Sequence, residues 1–178
     1  MKKSMEYRIE KFDNKLFKFL KKYNSIMPKR LCKLIAYFYT DARIRKIYWE
    51  KLNVHMGDGT FANIGMIAVN SEKTPIYIGK NVSIAPYVIL VAESEANNGE
   101  KINNIPYVND TLRMHSSIVI DDDVWIGANV TILPGVHIGK CSVIGAGSVV
   151  INDIESYSIY AGVPAKKIRD LKGAVDEQ

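Results

Sequence analysis

From Ile120 to Val150 an aliphatic residue returns at every sixth position: Ile120, Ile126, Ile132, Ile138, Ile144 and Val150. A period of six matches neither the 3.6 residues of a helical turn nor the simple alternation of an isolated strand. It suits a solenoid of short strands whose bends carry Gly, Asn, Asp or Ser. Three such hexapeptides make one triangular coil of roughly 18 residues with the aliphatic position pointing inward. The same register appears at Ile78, Ile84 and Leu90, then lapses until Ile120. The predicted core is thus a prism of stacked coils interrupted over residues 91–117. The interruption is rich in Glu and Asn and carries Gly99 and Pro106, so it is expected to leave the prism at one corner as a long loop. Outward apolar residues such as Val124, Val136 and Val143 are expected to give the prism flat sides.

Charge is unevenly distributed. Residues 1–51 carry 15 Lys and Arg against 5 Asp and Glu, a net of +10, so the remainder of the chain is net acidic. Apolar residues recur at helical spacing over Ile9, Phe12, Leu16, Phe17 and Leu20, and again over Leu31, Leu34, Ile35 and Phe38, with Pro28 between. Two amphipathic helices are predicted, covering the open end of the solenoid with their lysines in water. The same basic face offers a peripheral contact with anionic membrane. The chain is therefore divided into a basic helical region at 1–52, a β-helix at 53–170 with the 91–117 insertion, and a tail at 171–178.

Several classes are disfavoured. Cys32 and Cys141 form neither a disulfide framework nor a zinc signature, which points to a reducing, cytoplasmic compartment. The longest apolar run, Leu34–Tyr39, is far below the roughly 20 residues needed to cross a bilayer, and no cleavable leader is expected. No nucleic-acid motif accompanies the basic N-terminal region. His115 and His137 are 22 positions apart, not the 18 that would stack them, so no metal site is expected.

Gly59-Thr-Phe-Ala-Asn63, Ile78-Gly-Lys-Asn-Val-Ser-Ile-Ala-Pro86, Asp123-Val-Trp-Ile-Gly-Ala-Asn129 and Ala161-Gly-Val-Pro-Ala-Lys-Lys-Ile-Arg169 together resemble the hexapeptide-repeat acyltransferases. Within that family the sequence is most similar to maltose and galactoside O-acetyltransferases and their relatives in capsule and O-antigen synthesis. The resemblance covers residues 53–170. It implies a left-handed parallel β-helix, a homotrimer, acetyl-CoA as donor without a required metal, and active sites between subunits. It places Ala128 and Ala146 along the pantetheine arm with Trp125 close to it, and Gly145 is a further donor-side candidate as a small residue that lets a ligand approach the backbone. Lys166, Lys167 and Arg169 carry the charge to meet the donor's phosphates. Small residues near Gly127 and Gly145–Gly147 are expected to leave N–H groups free for the thioester carbonyl.

Asn63 matches the Asn that holds the acceptor in this family, whereas Phe61 stands where galactoside acetyltransferase has a Tyr, which suggests a different sugar or glycan acceptor. Glu93 is a further substrate-side candidate. The family's general-base His is replaced at the corresponding position by Glu95, an intrinsically weaker base unless burial raises its pKa. His115, at the end of the same interruption, is the alternative base. The expected activity is acetyl transfer to a hydroxyl of a sugar or surface-polysaccharide precursor. A sugar N-acetyltransferase and a non-catalytic trimeric scaffold that binds CoA or sugar are the alternatives.

Overall fold

The computed structural model describes the backbone of residues 2–172 and the side chains of residues 12–172. The helix α1 (Lys2–Lys22), a 3₁₀ turn at Asn24–Ile26, α2 (Lys29–Phe38) and α3 (Ala42–Glu50) precede the solenoid. Four coils follow, each with three short parallel strands. They are β1 (Val54–Met56), β2 (Phe61–Ala62) and β3 (Ile67–Val69), then β4 (Ile76–Ile78), β5 (Ser83–Ile84) and β6 (Ile89–Val91). After the insertion, which carries β7 (Glu93–Ser94) and β8 (Met114–His115), come β9 (Ile118–Ile120), β10 (Trp125–Ile126), β11 (Thr131–Ile132), β12 (His137–Ile138), β13 (Val143–Ile144) and β14 (Val149–Val150). The antiparallel pair β15 (Ser158–Ala161) and β16 (Lys166–Asp170) closes the far end.

Strand pairing resolves these elements into three faces. β1, β4, β9 and β12 form the first, β2, β5, β10, β13, β15 and β16 the second, and β3, β6, β11 and β14 the third. Trp125 pairs with Val143 and Thr131 with Val149, so an uninterrupted coil is three hexapeptides long. Two coil steps exceed that length. Phe61 pairs with Ser83, a slightly longer step, and Ser83 pairs with Trp125, a much longer one. Both excesses fall at the same corner, between the third face and the first, one as the short turn Ser71–Thr74 and the other as the long insertion.

Each hexapeptide buries two residues rather than one. Val124 and Ile126 are both within 1% of full burial while Trp125 between them is 60% exposed. Val124 and Val136 therefore face the core, contrary to expectation, because the turn before each two-residue strand folds its last residue inward. The outward apolar rows instead contain Phe61 and Trp125 on the second face and Tyr77 and Val119 on the first. At the corner between the first and second faces Asn81, Asp123, Cys141 and Tyr157 adopt φ of 55° to 58°. Asn and Asp tolerate this left-handed conformation best, whereas Cys141 and Tyr157 adopt it without that advantage.

The N-terminal region contains a third helix that hydrophobic periodicity did not announce. In α3 the Asp41 carboxylate caps the Arg43 N–H at 2.8 Å, and Ile44, Arg45, Tyr48 and Trp49 are buried. α2 turns Cys32, Ile35 and Ala36 inward, so Leu31, Leu34 and Phe38 lie outside, contrary to the predicted face. In α1 Leu20 is buried and Phe12 is exposed, and the side chain of Ile9 is outside the described residues. So is the tail beyond Lys172.

These helices cover the open rim of the first coil and satisfy its carbonyls. Arg45 donates to Ala62 O (2.7 Å), Thr40 O (2.8 Å) and Tyr39 O, Tyr37 donates to Ala68 O (3.2 Å), and Lys46 donates to Gly57 O. An uncovered edge would leave the Ala62 and Ala68 carbonyls unpaired, while the Tyr39 and Thr40 carbonyls tie Arg45 to the link between α2 and α3. Burial lowers the pKa of Arg45, a cost offset by its three acceptors. Arg45→Ala is expected to lower stability by about 3 kcal/mol, because buried acceptors lose a charged donor. The measurement is a shift of the urea midpoint at constant slope.

Candidate active site

The antiparallel pairing of β7 with β8 places Glu93 opposite His115 and Ser94 opposite Met114. The two ends of the insertion thus share one spot at its base. His115 Nδ1 lies 4.0 Å from Glu93 Oε1, and Nε2 lies 3.7 Å from Glu95 Oε2. The insertion is not a structureless loop: above this hairpin it forms a 3₁₀ turn at Ile102–Asn104 and a π-helical turn at Val108–Leu112.

Glu93 is the fixed member of the cluster. Its carboxylate accepts from Thr74 Oγ1 at 2.7 Å and from Ser71 Oγ, both in the short turn at the same corner one coil below. These two hydroxyls, with smaller help from the charges of His115 and Lys73, hold its pKa below the ordinary glutamate value. The anchorage is fully present above the ordinary carboxylate range and is lost as pH falls through the lowered value. Ser71 and Thr74 escaped the sequence reading. Their only signal was the extra length of chain between the first and second coils.

A second group gathers on the second face. Phe61, Asn63, Ser83, Ala85 and Trp125 line a shallow open depression of about 360 Å³. Phe61, Ser83, Trp125, Val143 and Ile159 form one outward row up that face. The row continues sideways to β16, where Ile159 pairs with Arg169 and Ala161 with Lys166. Lys166 and Arg169 are exposed. Lys167 is engaged by Glu155 at 2.7 Å and Asp170 at 3.3 Å, contacts that raise its pKa.

Ala128 and Ala146 stack at the edge between the second and third faces, joined by the Gly147 N–H to Ala128 O bond of 2.8 Å. The glycines there have a different task from the expected one. A Cβ on Gly127 would lie 2.5 Å from Ala146 N, and one on Gly145 would lie 2.7 Å from Ala161 Cβ. Both positions thus permit coil-to-coil contact rather than approach of a ligand. The N–H groups of Gly127, Gly145 and Gly147 bond to Ile144, Tyr160 and Ala128 carbonyls, so none is free for a thioester. Gly147, with φ of 70° and nothing near its missing Cβ, faces open space.

Within one chain, then, the structure brings Glu93, Glu95 and His115 together, and separately aligns Phe61, Asn63 and Trp125 with the small-residue edge and β16. The corner that carries the first group is the one opposite the face that carries the second. His55 and His137 lie in one row of the first face, separated by Tyr77 and Val119. Among the described residues no group of three or more His, Cys, Asp or Glu side chains is placed to hold a metal ion. No described helix is long and apolar enough to cross a membrane.

Residues 117–152 match the bacterial transferase hexapeptide (six repeats) family. Galactoside O-acetyltransferase of Escherichia coli is 40% identical over 120 residues, which are 67% of this chain and 55% of that protein. The chain thus spans little more than half the length of the curated relatives it matches. Among solved structures, a hexapeptide-repeat acetyltransferase of Vibrio cholerae in complex with acetyl-CoA has a TM-score of 0.65 at 29% identity, covering 81% of this chain and 85% of that one. A galactoside acetyltransferase in complex with coenzyme A has a TM-score of 0.64 at 26% identity, covering 84% and 82%. The repeat register and these likenesses converge: the chain is a hexapeptide-repeat protein of the bacterial transferase family, related to the galactoside O-acetyltransferases.

Proposed function

We propose that the protein transfers an acetyl group from acetyl-CoA to a hydroxyl of a sugar or surface-polysaccharide precursor. In this reading the prism winds left-handed, assembles as a homotrimer and works in the cytoplasm, with the basic N-terminal helices free to touch an anionic membrane face. The observation that carries it is the division of the candidate groups between one corner and the opposite face of the prism. Threefold packing would set the Glu93–His115–Glu95 corner of one copy against the Phe61–Asn63–Trp125 face of the next, and so complete a site that neither copy holds alone.

His115 is the proposed base. The anchored Glu93 carboxylate is 4.0 Å from Nδ1, beyond direct hydrogen-bond reach, and its negative charge favours the proton on that side of the ring, leaving the Nε2 lone pair for the acceptor. At 3.7 Å Nε2 and Glu95 Oε2 are too far apart for a direct hydrogen bond, so a sugar hydroxyl approaching from the side would donate to Nε2 while Glu95 accepts from a neighbouring hydroxyl. The acceptor oxygen attacks the thioester carbon as its proton passes to Nε2. The C–S bond then breaks, and the same proton leaves with the CoA sulfur. Trp125 and the Ala128–Ala146 edge would lie along the donor's arm, with Lys166 and Arg169 near its phosphates.

Release of free thiol from acetyl-CoA in the presence of sugars tests the reaction, and complementation tests the assembly. His115→Ala and Asn63→Ala subunits should each be nearly inactive alone. Random mixing should restore about a quarter of the wild-type sites, since each mixed trimer regains one intact interface. No recovery, or a monomer by light scattering, would place the site within one chain.

A further inference from the structure

Between α2, the end of α3 and the Ser71–Thr74 corner lies a cavity of about 440 Å³ that the reading above does not use. Its size is that of a small-ligand site. Lys29, Lys33 and Tyr37 approach it from one side of α2, at successive helical turns, Lys51 from the C-terminal end of α3 and Lys73 from the corner turn. Four lysines face a single acidic side chain, Glu72, and that carboxylate pairs with Lys29 at 3.3 Å where both are about four-fifths exposed. An exposed pair of this kind contributes little, so the cavity keeps an excess of positive charge. Its inner wall is aromatic. Tyr37 and Trp49 stack with ring centroids 5.1 Å apart. Trp49 is wholly buried, and its indole Nε1 has no acceptor among the described residues.

The position of the cavity matters as much as its charge. Ser71 lines it and also donates to Glu93, so the wall of the cavity and the seat of the hairpin are one turn of chain. We propose, building on the acetyltransferase reading, that this cavity holds the phosphate of a phosphorylated sugar acceptor, with the four lysines as counter-charges. The sugar would extend past Ser71 toward Glu93 and His115. Phosphate esters suit such a site because several ammonium groups can share their oxygens and the interaction is short-ranged in salt.

The test reads binding before activity. Trp49 and Trp125 are the only tryptophans, so in Trp125→Phe protein the fluorescence reports on Trp49 alone. Glucose 1-phosphate and UDP-glucose should each change that signal saturably, and unphosphorylated glucose should not. Lys33→Glu with Lys73→Glu should weaken the binding at least tenfold, with melting temperature unchanged. In otherwise wild-type protein the same pair should raise KM for the phosphorylated acceptor and leave that for acetyl-CoA alone. No fluorescence response to either phosphate ester, or one that the charge reversals do not alter, overturns the proposal, and so does binding confined to vesicles of anionic lipid. Acetylation of unphosphorylated sugars without any such response would sink the cavity assignment alone. A saturable response without thiol release would sink the acetyltransferase reading and leave the phosphate site standing.

Discussion

His115→Ala is expected to lower turnover by about 10²–10⁴ while leaving the affinity for acetyl-CoA nearly unchanged, because loss of a positioned base affects proton removal and not donor contacts. Glu95→Gln keeps the shape and one accepting oxygen, so its expected cost is about tenfold, felt mostly in KM for the acceptor. The two variants divide the roles. If Glu95→Gln is the severe one and His115→Ala the mild one, the carboxylate takes the proton and the imidazole supports it. Full activity in both would remove the cluster from the chemistry. Glu93→Gln adds a control: it should weaken the anchorage by Ser71 and Thr74, so that turnover falls with the order of the hairpin.

Ala146→Trp is expected to reduce acetyl-CoA affinity by roughly 10²-fold, equivalent to about 2.8 kcal/mol at about 1.4 kcal/mol per tenfold. Ala146 is exposed at the edge of the second face and its coil is held by buried Ile144 and Ser148. An indole there would occupy the path of the donor's arm without entering the core. Calorimetric titration with CoA measures the effect, and an unchanged melting temperature shows that the prism is intact. Unaltered affinity would move the donor to another face. The contrast with Gly127→Ala is informative. That change puts a methyl against the backbone of Ala146, so it should act on folding before it acts on binding.

The solenoid was legible from the chain because its rule is local. A six-residue period, an inward aliphatic side chain and a corner tolerant of left-handed φ are satisfied within each repeat, and stacking only multiplies them. The place where the repeat lapses was legible for the same reason. Val124 and Val136 were misjudged because the period marks one inward residue per hexapeptide, while the bend before the strand turns a second one in. α3 was missed because its buried set includes Arg45, whose inward position depends on carbonyls of a coil edge that periodicity cannot see.

The candidate site depended on distance in space. Glu95 and His115 stood as rival bases in the sequence. Only the pairing of β7 with β8 set Glu93 and Glu95 on either side of one imidazole, and only the stacking of two insertions at one corner brought Ser71 and Thr74 under Glu93. The lysine-lined cavity joins α2 to a turn three coil faces beyond the helices in the same way. A repeat encodes its coil through neighbours in the chain, whereas the charges and hydroxyls gathered at its corners are set by the lengths of what is inserted between coils. Those lengths act only once the coils are stacked.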